Sequence, residues 1–170
     1  MFDTCVLGID PGVARLGLAV IAATGRRPSL LWASTVTTPA HDDEAKRLAT
    51  VAAATREAIE THRPTCVALE RVAFNRNQVS ALTVARATGA VMVVAAEACL
   101  PVEEYSPTEV KSAVTGMGNA DKGQVRSALE RVHGLRGVPS QADAADAVAV
   151  ALTHLSGARM RAVARTGSLR

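Results

Sequence analysis

Residues 4–12, TCVLGIDPG, decide the reading of the fold. Residues 4–9 are a short apolar run with β-branched members, and Asp10-Pro11-Gly12 stops it abruptly, which reads as a buried strand followed by a turn. Residues 16–22 (LGLAVIA) are apolar again, Gly25-Arg26-Arg27-Pro28 is a turn, and residues 29–37 alternate well enough for a third strand. Three consecutive strands on short links predict an antiparallel meander.

Beyond the meander the period changes. His41-Asp42-Asp43-Glu44 places acids in the first turn of a helix, where the helix dipole favours them, and Ala45, Leu48, Ala52 and Ile59 follow at helical spacing to Thr61. Arg63-Pro64 stops that helix, and residues 65–69 form a strand ending at Glu70. Helices over 77–99, 123–133 and 142–155 and a strand over 102–105 follow. Ser106-Pro107-Thr108-Glu109 opens a further helix, with Ser as N-cap, Pro at the first position and capping-box spacing. The predicted class is α/β: a mixed five-stranded sheet, three antiparallel strands plus two parallel ones, flanked by helices. One domain spans 1–156, and residues 157–170 read as a basic, flexible tail.

Composition narrows the function classes. Aromatic residues make up only 2% of the chain, so Ala, Val and Leu must fill the core. Cys5, Cys66 and Cys99 are odd in number and lack CxxC spacing, so we expect buried free thiols. No apolar run reaches the roughly 18 residues of a membrane span, no signal-peptide pattern is present, and the chain reads as cytoplasmic. Net charge is only +3, but residues 71–86 carry three Arg and no acid, and four Arg with no acid follow Asp146. That distribution suits a polyanionic partner, although charge alone is also compatible with a solvated basic surface.

Four acids stand out on this layout. Asp10 and Glu70 end apolar strands, and Asp143 and Asp146 share one face of a helix at i and i+3. Strand ends in α/β sheets are where ligands gather. A set of carboxylates from separate elements suits hard divalent ions such as Mg²⁺, two of which about 4 Å apart can drive phosphodiester hydrolysis. Each acid alone has an ordinary explanation: a turn residue at Asp10, pairing of Glu70 with Arg71 or Arg76, and helix-start acids at Asp143 and Asp146. Jointly those explanations need four coincidences. His154, three turns beyond Asp143 on the same helix face, is expected to be structural.

The motifs GIDPG (8–12), ALERV (68–72) and QADAADAVA (141–149), with PTEVKSAVTG (107–116) and GNADKGQV (118–125), resemble the bacterial RuvC resolvases, and the resemblance covers about residues 4–155. It implies a ribonuclease H-like fold and a homodimer that nicks four-way (Holliday) junction DNA in recombination and repair. It also implies two Mg²⁺ per site, with Mn²⁺ able to substitute, and a RuvA–RuvB branch-migration motor as partner. On the family pattern Asp10, Glu70, Asp143 and Asp146 are catalytic metal ligands, and Lys111 and Lys122 contact DNA. Phe74 stands in for a junction-facing Phe that the family places one residue earlier, where this chain has Ala73, so cut-site preference is open. Arg76, Arg86, Lys111, Lys122 and Arg126 are expected along the phosphate path. The dimer interface is expected on helix 77–99, through Val79, Leu82, Ala85, Gly89, Met92 and Val93. The alternatives are a YqgF-type ribonuclease H-like nuclease, an actin-like or sugar-kinase-like ATP-binding module, for which the chain is too short, and a non-catalytic DNA-binding protein.

Overall fold

A computed structural model describes residues 4–25, 27–71 and 78–167, without the side chains of 78–80 and 158–167. Strands β1 (Thr4–Asp10), β2 (Arg15–Thr24) and β3 (Arg27–Thr37) form the expected antiparallel meander. Strand β4 (Cys66–Glu70) pairs parallel with the free edge of β1, and β5 (Val102–Tyr105) pairs parallel with β4. The sheet order is β3-β2-β1-β4-β5, so β1 lies in the middle, between its hairpin partner β2 and the distant strand β4.

Strand alternation sorts the apolar side chains into two cores. Leu7, Ile9, Leu18, Val20, Val67 and Leu69 face helices α1 (Glu44–His62) and α2 (Gln78–Glu97), meeting Val51, Ala58, Ala87 and Val91. Val6, Ala19, Ile21, Cys66 and Ala68 face the opposite side. That side is covered by α3 (Pro107–Thr115), α4 (Lys122–Ser127) and α5 (Ala142–Gly167), through Val110, Val125, Val148 and Leu152. Burying each such aliphatic side chain contributes about 2 kcal/mol.

The helix boundaries follow local chemistry. Asp43 caps α1 by accepting from the Lys46 amide at 2.9 Å, so the acid run contributes only Glu44 to the first turn. Arg63 closes α1 in the left-handed region at φ 47°, just before Pro64. Ser106 and Glu109 form the predicted capping box on α3, with Pro107 at its start.

Three expectations need correction. The helix expected over 123–133 is α4, started by an Asp121–Gln124 capping box, followed by a π-helical turn at Ala128–Val132. The last helix does not stop at Leu155: its backbone continues to Gly167, because the following stretch is rich in Ala and Arg and contains no proline. Cys5 and Cys66 are buried, but Cys99 is exposed in a left-handed turn (φ 55°) that leaves α2. No helix among the described residues is long and apolar enough to cross a membrane.

Candidate active site

The site begins with strand parity. In β1 the even residues Val6, Gly8 and Asp10 share one face, and in β4 Cys66, Ala68 and Glu70 share the same one, which is the face α5 covers. The register that pairs Ile9 with Leu69 sets Asp10 abreast of Glu70 on adjacent parallel strands, about 4.8 Å apart. Both carboxylates therefore emerge beneath α5 at the carboxyl ends of their strands.

Two glycines let α5 come down onto the sheet. Gly17 lies opposite Asp10 in the β1–β2 ladder, and a Cβ there would overlap the Asp143 carbonyl. A Cβ on Gly8 would overlap the Ala147 carbonyl and sit 2.7 Å from the Ala151 Cβ. Helix backbone against strand backbone, with no side chain between, brings Asp143 and Asp146 over the strand ends.

The electrostatic strain falls on the two inner acids. Burial, then repulsion from Glu70, Asp146 and Asp143, pushes the Asp10 carboxyl up to about 8, with Lys122 opposing. Burial, then Asp146, pushes Glu70 up to about 7 against Lys122 and Lys111. The outer acids are paired instead: Arg15 Nε donates to Asp143 Oδ2 at 2.8 Å and Lys122 Nζ to Asp146 Oδ2 at 2.8 Å. The hydrogen bond to Asp146 in turn holds the Lys122 ammonium above its ordinary value. Beside Glu70 a groove lined by Pro107, Lys111, Lys122 and Asp146 opens to solvent.

The donor set fits a hard divalent cation. Every candidate donor is a carboxylate oxygen, and the inner two carry a repulsion that nearby protein cations do not cancel. As the side chains stand they do not close around one point: among the described residues no group of three His, Cys, Asp or Glu is arranged to hold a metal. The ion pairs of Asp143 with Arg15 and of Asp146 with Lys122 turn those two carboxylates toward protein cations. Loading a cation therefore means exchanging one positive partner for another.

Other expected residues divide. Phe74 and Arg76 lie outside the described residues, as does the Val79 side chain. Lys111 and Lys122 line the groove at the acids. Arg126 does not present a free fork: Nη1 and Nη2 donate to the carbonyls of Pro139 (2.9 Å) and Val138 (3.1 Å), and Nε donates to Glu130 (3.2 Å). Its charge holds the loop before α5, a task that counting basic residues does not reveal. Arg86 is likewise ion-paired, with Glu44. His154 is buried, with Nε2 3.3 Å from Cys66 Sγ and Nδ1 3.0 Å from the Tyr105 hydroxyl, as a structural role requires. Arg15, Gly8 and Gly17 were not singled out from sequence. Their signal was available only in the spacing that returns β2 past Asp10.

Residues 6–154 match the family described as crossover junction endodeoxyribonuclease RuvC. A relative of that name from Heliobacterium modesticaldum is 46% identical over 147 residues, covering 86% of this chain and 91% of its own. The structure of Thermus thermophilus RuvC in complex with a Holliday junction substrate superposes with a TM-score of 0.86 at 39% identity, covering 92% and 96% of the two chains. Yeast mitochondrial Holliday junction resolvase Ydc2 shares the fold at 14% identity, with a TM-score of 0.65 over 89% of this chain and 78% of its own. The match spans all three acidic motifs and sets aside the other ribonuclease H-like, ATP-binding and non-catalytic readings. The chain belongs to the RuvC family of crossover junction endodeoxyribonucleases, divalent-metal-dependent nucleases with a ribonuclease H-like fold.

Proposed function

We propose that this chain resolves four-way DNA junctions as a homodimer, using Asp10, Glu70, Asp143 and Asp146 to hold two Mg²⁺ ions at each cut. The observation that supports the assignment is that three separate elements bring the acids to one end of the sheet: β1 and β4 in register at their ends, and α5 lowered onto Gly8 and Gly17. Asp10 would be the central ligand, because it ends the middle strand of the sheet, between β2 and β4. Divalent ions held there would supply charge on the scissile phosphate and an acidified water for hydrolysis that leaves 5′-phosphate and 3′-hydroxyl ends.

The protein's own groups set the reaction up. Rigid strand ends fix Asp10 and Glu70, so little reorganisation is left for the moment of reaction. Lys111 and Lys122 place positive charge in the groove beside Glu70, where backbone phosphates of the cut strand are held. Lys122 is tied to Asp146, so a cation that took this carboxylate would release the ammonium for a phosphate.

A four-way junction has approximate two-fold symmetry, and a two-fold dimer sets one site against each opposed strand. The exposed face of α2 supports that arrangement: Leu82 is 54% and Val93 58% exposed, and Gly89 leaves open space between them. An apolar stripe of that kind on a helix marks a contact surface. The RuvA–RuvB motor is the further partner the family implies, and Mn²⁺ a workable substitute ion.

The test is nicking of a synthetic four-way junction in Mg²⁺ by wild type and Asp10→Asn, with binding followed separately by gel shift in chelator. Wild type should make paired symmetric nicks, and Asp10→Asn should bind but not cut. Normal cleavage by Asp10→Asn removes the mechanism.

A further inference from the structure

We propose that Arg15 is a phosphate-holding residue on the flank of the active site opposite the lysines, folded back on Asp143 when no cation claims that carboxylate. The inference rests on the reading of the acids given above and adds a substrate contact to it.

Arg15 opens β2, two residues before Gly17, the ladder partner of Asp10. Arg15, Gly17 and Ala19 share the face that α5 covers, so the Arg15 side chain rises beside the acids. Its Nε meets Asp143 Oδ2 at 2.8 Å, yet 55% of the side chain is exposed, against 23% for Asp143. The guanidinium is a planar fork with five N–H donors, and this ion pair engages the inner edge.

Charge along the site explains why a cation is wanted here. Lys111 and Lys122 sit together on the α3–α4 side of the carboxylates. A DNA strand crossing the acids carries phosphates on both sides of the one being cut, and repulsion from unpaired carboxylates must be offset on both. On the β2 side Arg15 stands next to the cluster, whereas Arg86 and Arg126 are committed elsewhere. Once Asp143 turns to a divalent ion its hold on Arg15 weakens. Exchange is easy, because an ion pair with a largely exposed Arg is weak. A phosphate offers the fork two oxygens in the geometry it binds best.

The competing explanation is that Arg15 only neutralises Asp143. A double-mutant cycle on the full-length protein separates the two. Binding of a dye-labelled four-way junction is measured by fluorescence anisotropy in EDTA at several salt concentrations, for wild type, Arg15→Ala, Asp143→Asn and the double variant, with Arg15→Lys as a milder change. In the Asp143→Asn background, where the fork is released, Arg15→Ala should weaken binding about tenfold and lower the salt slope by about one, and Arg15→Lys should retain part of the affinity. In the Asp143 background the Arg15→Ala effect should be smaller. Unchanged affinity and slope on removing Arg15 from the Asp143→Asn protein would overturn the proposal while leaving the resolvase reading intact. Failure of the wild type itself to bind the junction would overturn both.

Discussion

Strand β4 and helix α5 pass one another between two polar clusters of opposite character. At one end Glu70 meets Asp146, and at the other Cys66 meets His154. Four residues of strand span about 13 Å and eight residues of helix about 12 Å, so a contact at either end helps set the register at the other. The His154 end is satisfied: the buried imidazole and thiol and the half-buried Tyr105 hydroxyl are matched, tying α5 to β4 and β5. The acid end is not, since like charges are packed where burial already disfavours ionisation. One cluster contributes order, and the other stores unfavourable electrostatics that a bound cation would relieve. Strained polar groups of the second kind are where function is expected.

The contrast can be broken most severely at its acid end. Asp10→Asn should reduce cleavage below detection in a junction-nicking assay. In chelator near pH 7 the same variant should melt no lower than wild type, because the folded chain already holds that carboxyl neutral and Asn replaces it with a neutral group of similar shape. Cleavage that survived would make the acids structural.

The next largest effect is expected where α5 touches the sheet. Gly17→Ala should cost about 3 kcal/mol in urea unfolding, since the overlap is with helix backbone and no flexible side chain can yield. Cleavage should fall together with stability, because Asp143 is displaced. A Gly17→Ala protein of wild-type stability would show that the close approach is dispensable.

Acidity sharpens the same comparison. The folded chain keeps the Asp10 proton to about pH 8, whereas an unfolded aspartate releases it near pH 4. Between those values the folded state binds more protons, so in EDTA stability should fall as pH rises through that window, Glu70 adding in the same direction up to about 7. Millimolar Mg²⁺ should flatten the decline. Melting temperatures that rise with pH in EDTA would contradict the environment described for Asp10.

At the satisfied end the expected effect is smaller and different in kind. His154→Leu leaves the Tyr105 hydroxyl and Cys66 thiol without their imidazole partner and should cost about 2 kcal/mol of stability. Below its melting range the variant should still cut junctions. Loss of cleavage without loss of stability would move His154 into the reaction.

How much of this was legible beforehand follows from the range of each interaction. The succession of strands and helices and the Ser106 and Arg63 helix boundaries could be read, and the four acids picked out as candidates, because each is written in a few neighbouring residues. The bonds of Arg126 to the carbonyls of Val138 and Pro139 were not foreseen because nothing near it in sequence announces them. Cys99 was misplaced because an apolar neighbourhood in sequence became a helix exit in space. Arg15 went unnoticed because its partner lies 128 residues away.

The sequence by itself determined which face of each strand and helix every acid takes, because that depends only on a two-residue or 3.6-residue period. It also carried the three acidic motifs that mark the family. Only the tertiary structure decided how closely those faces approach. Parallel pairing of β1 with β4 and the bare backbone contacts at Gly8 and Gly17 join segments more than fifty residues apart, and local pattern holds no record of such distances.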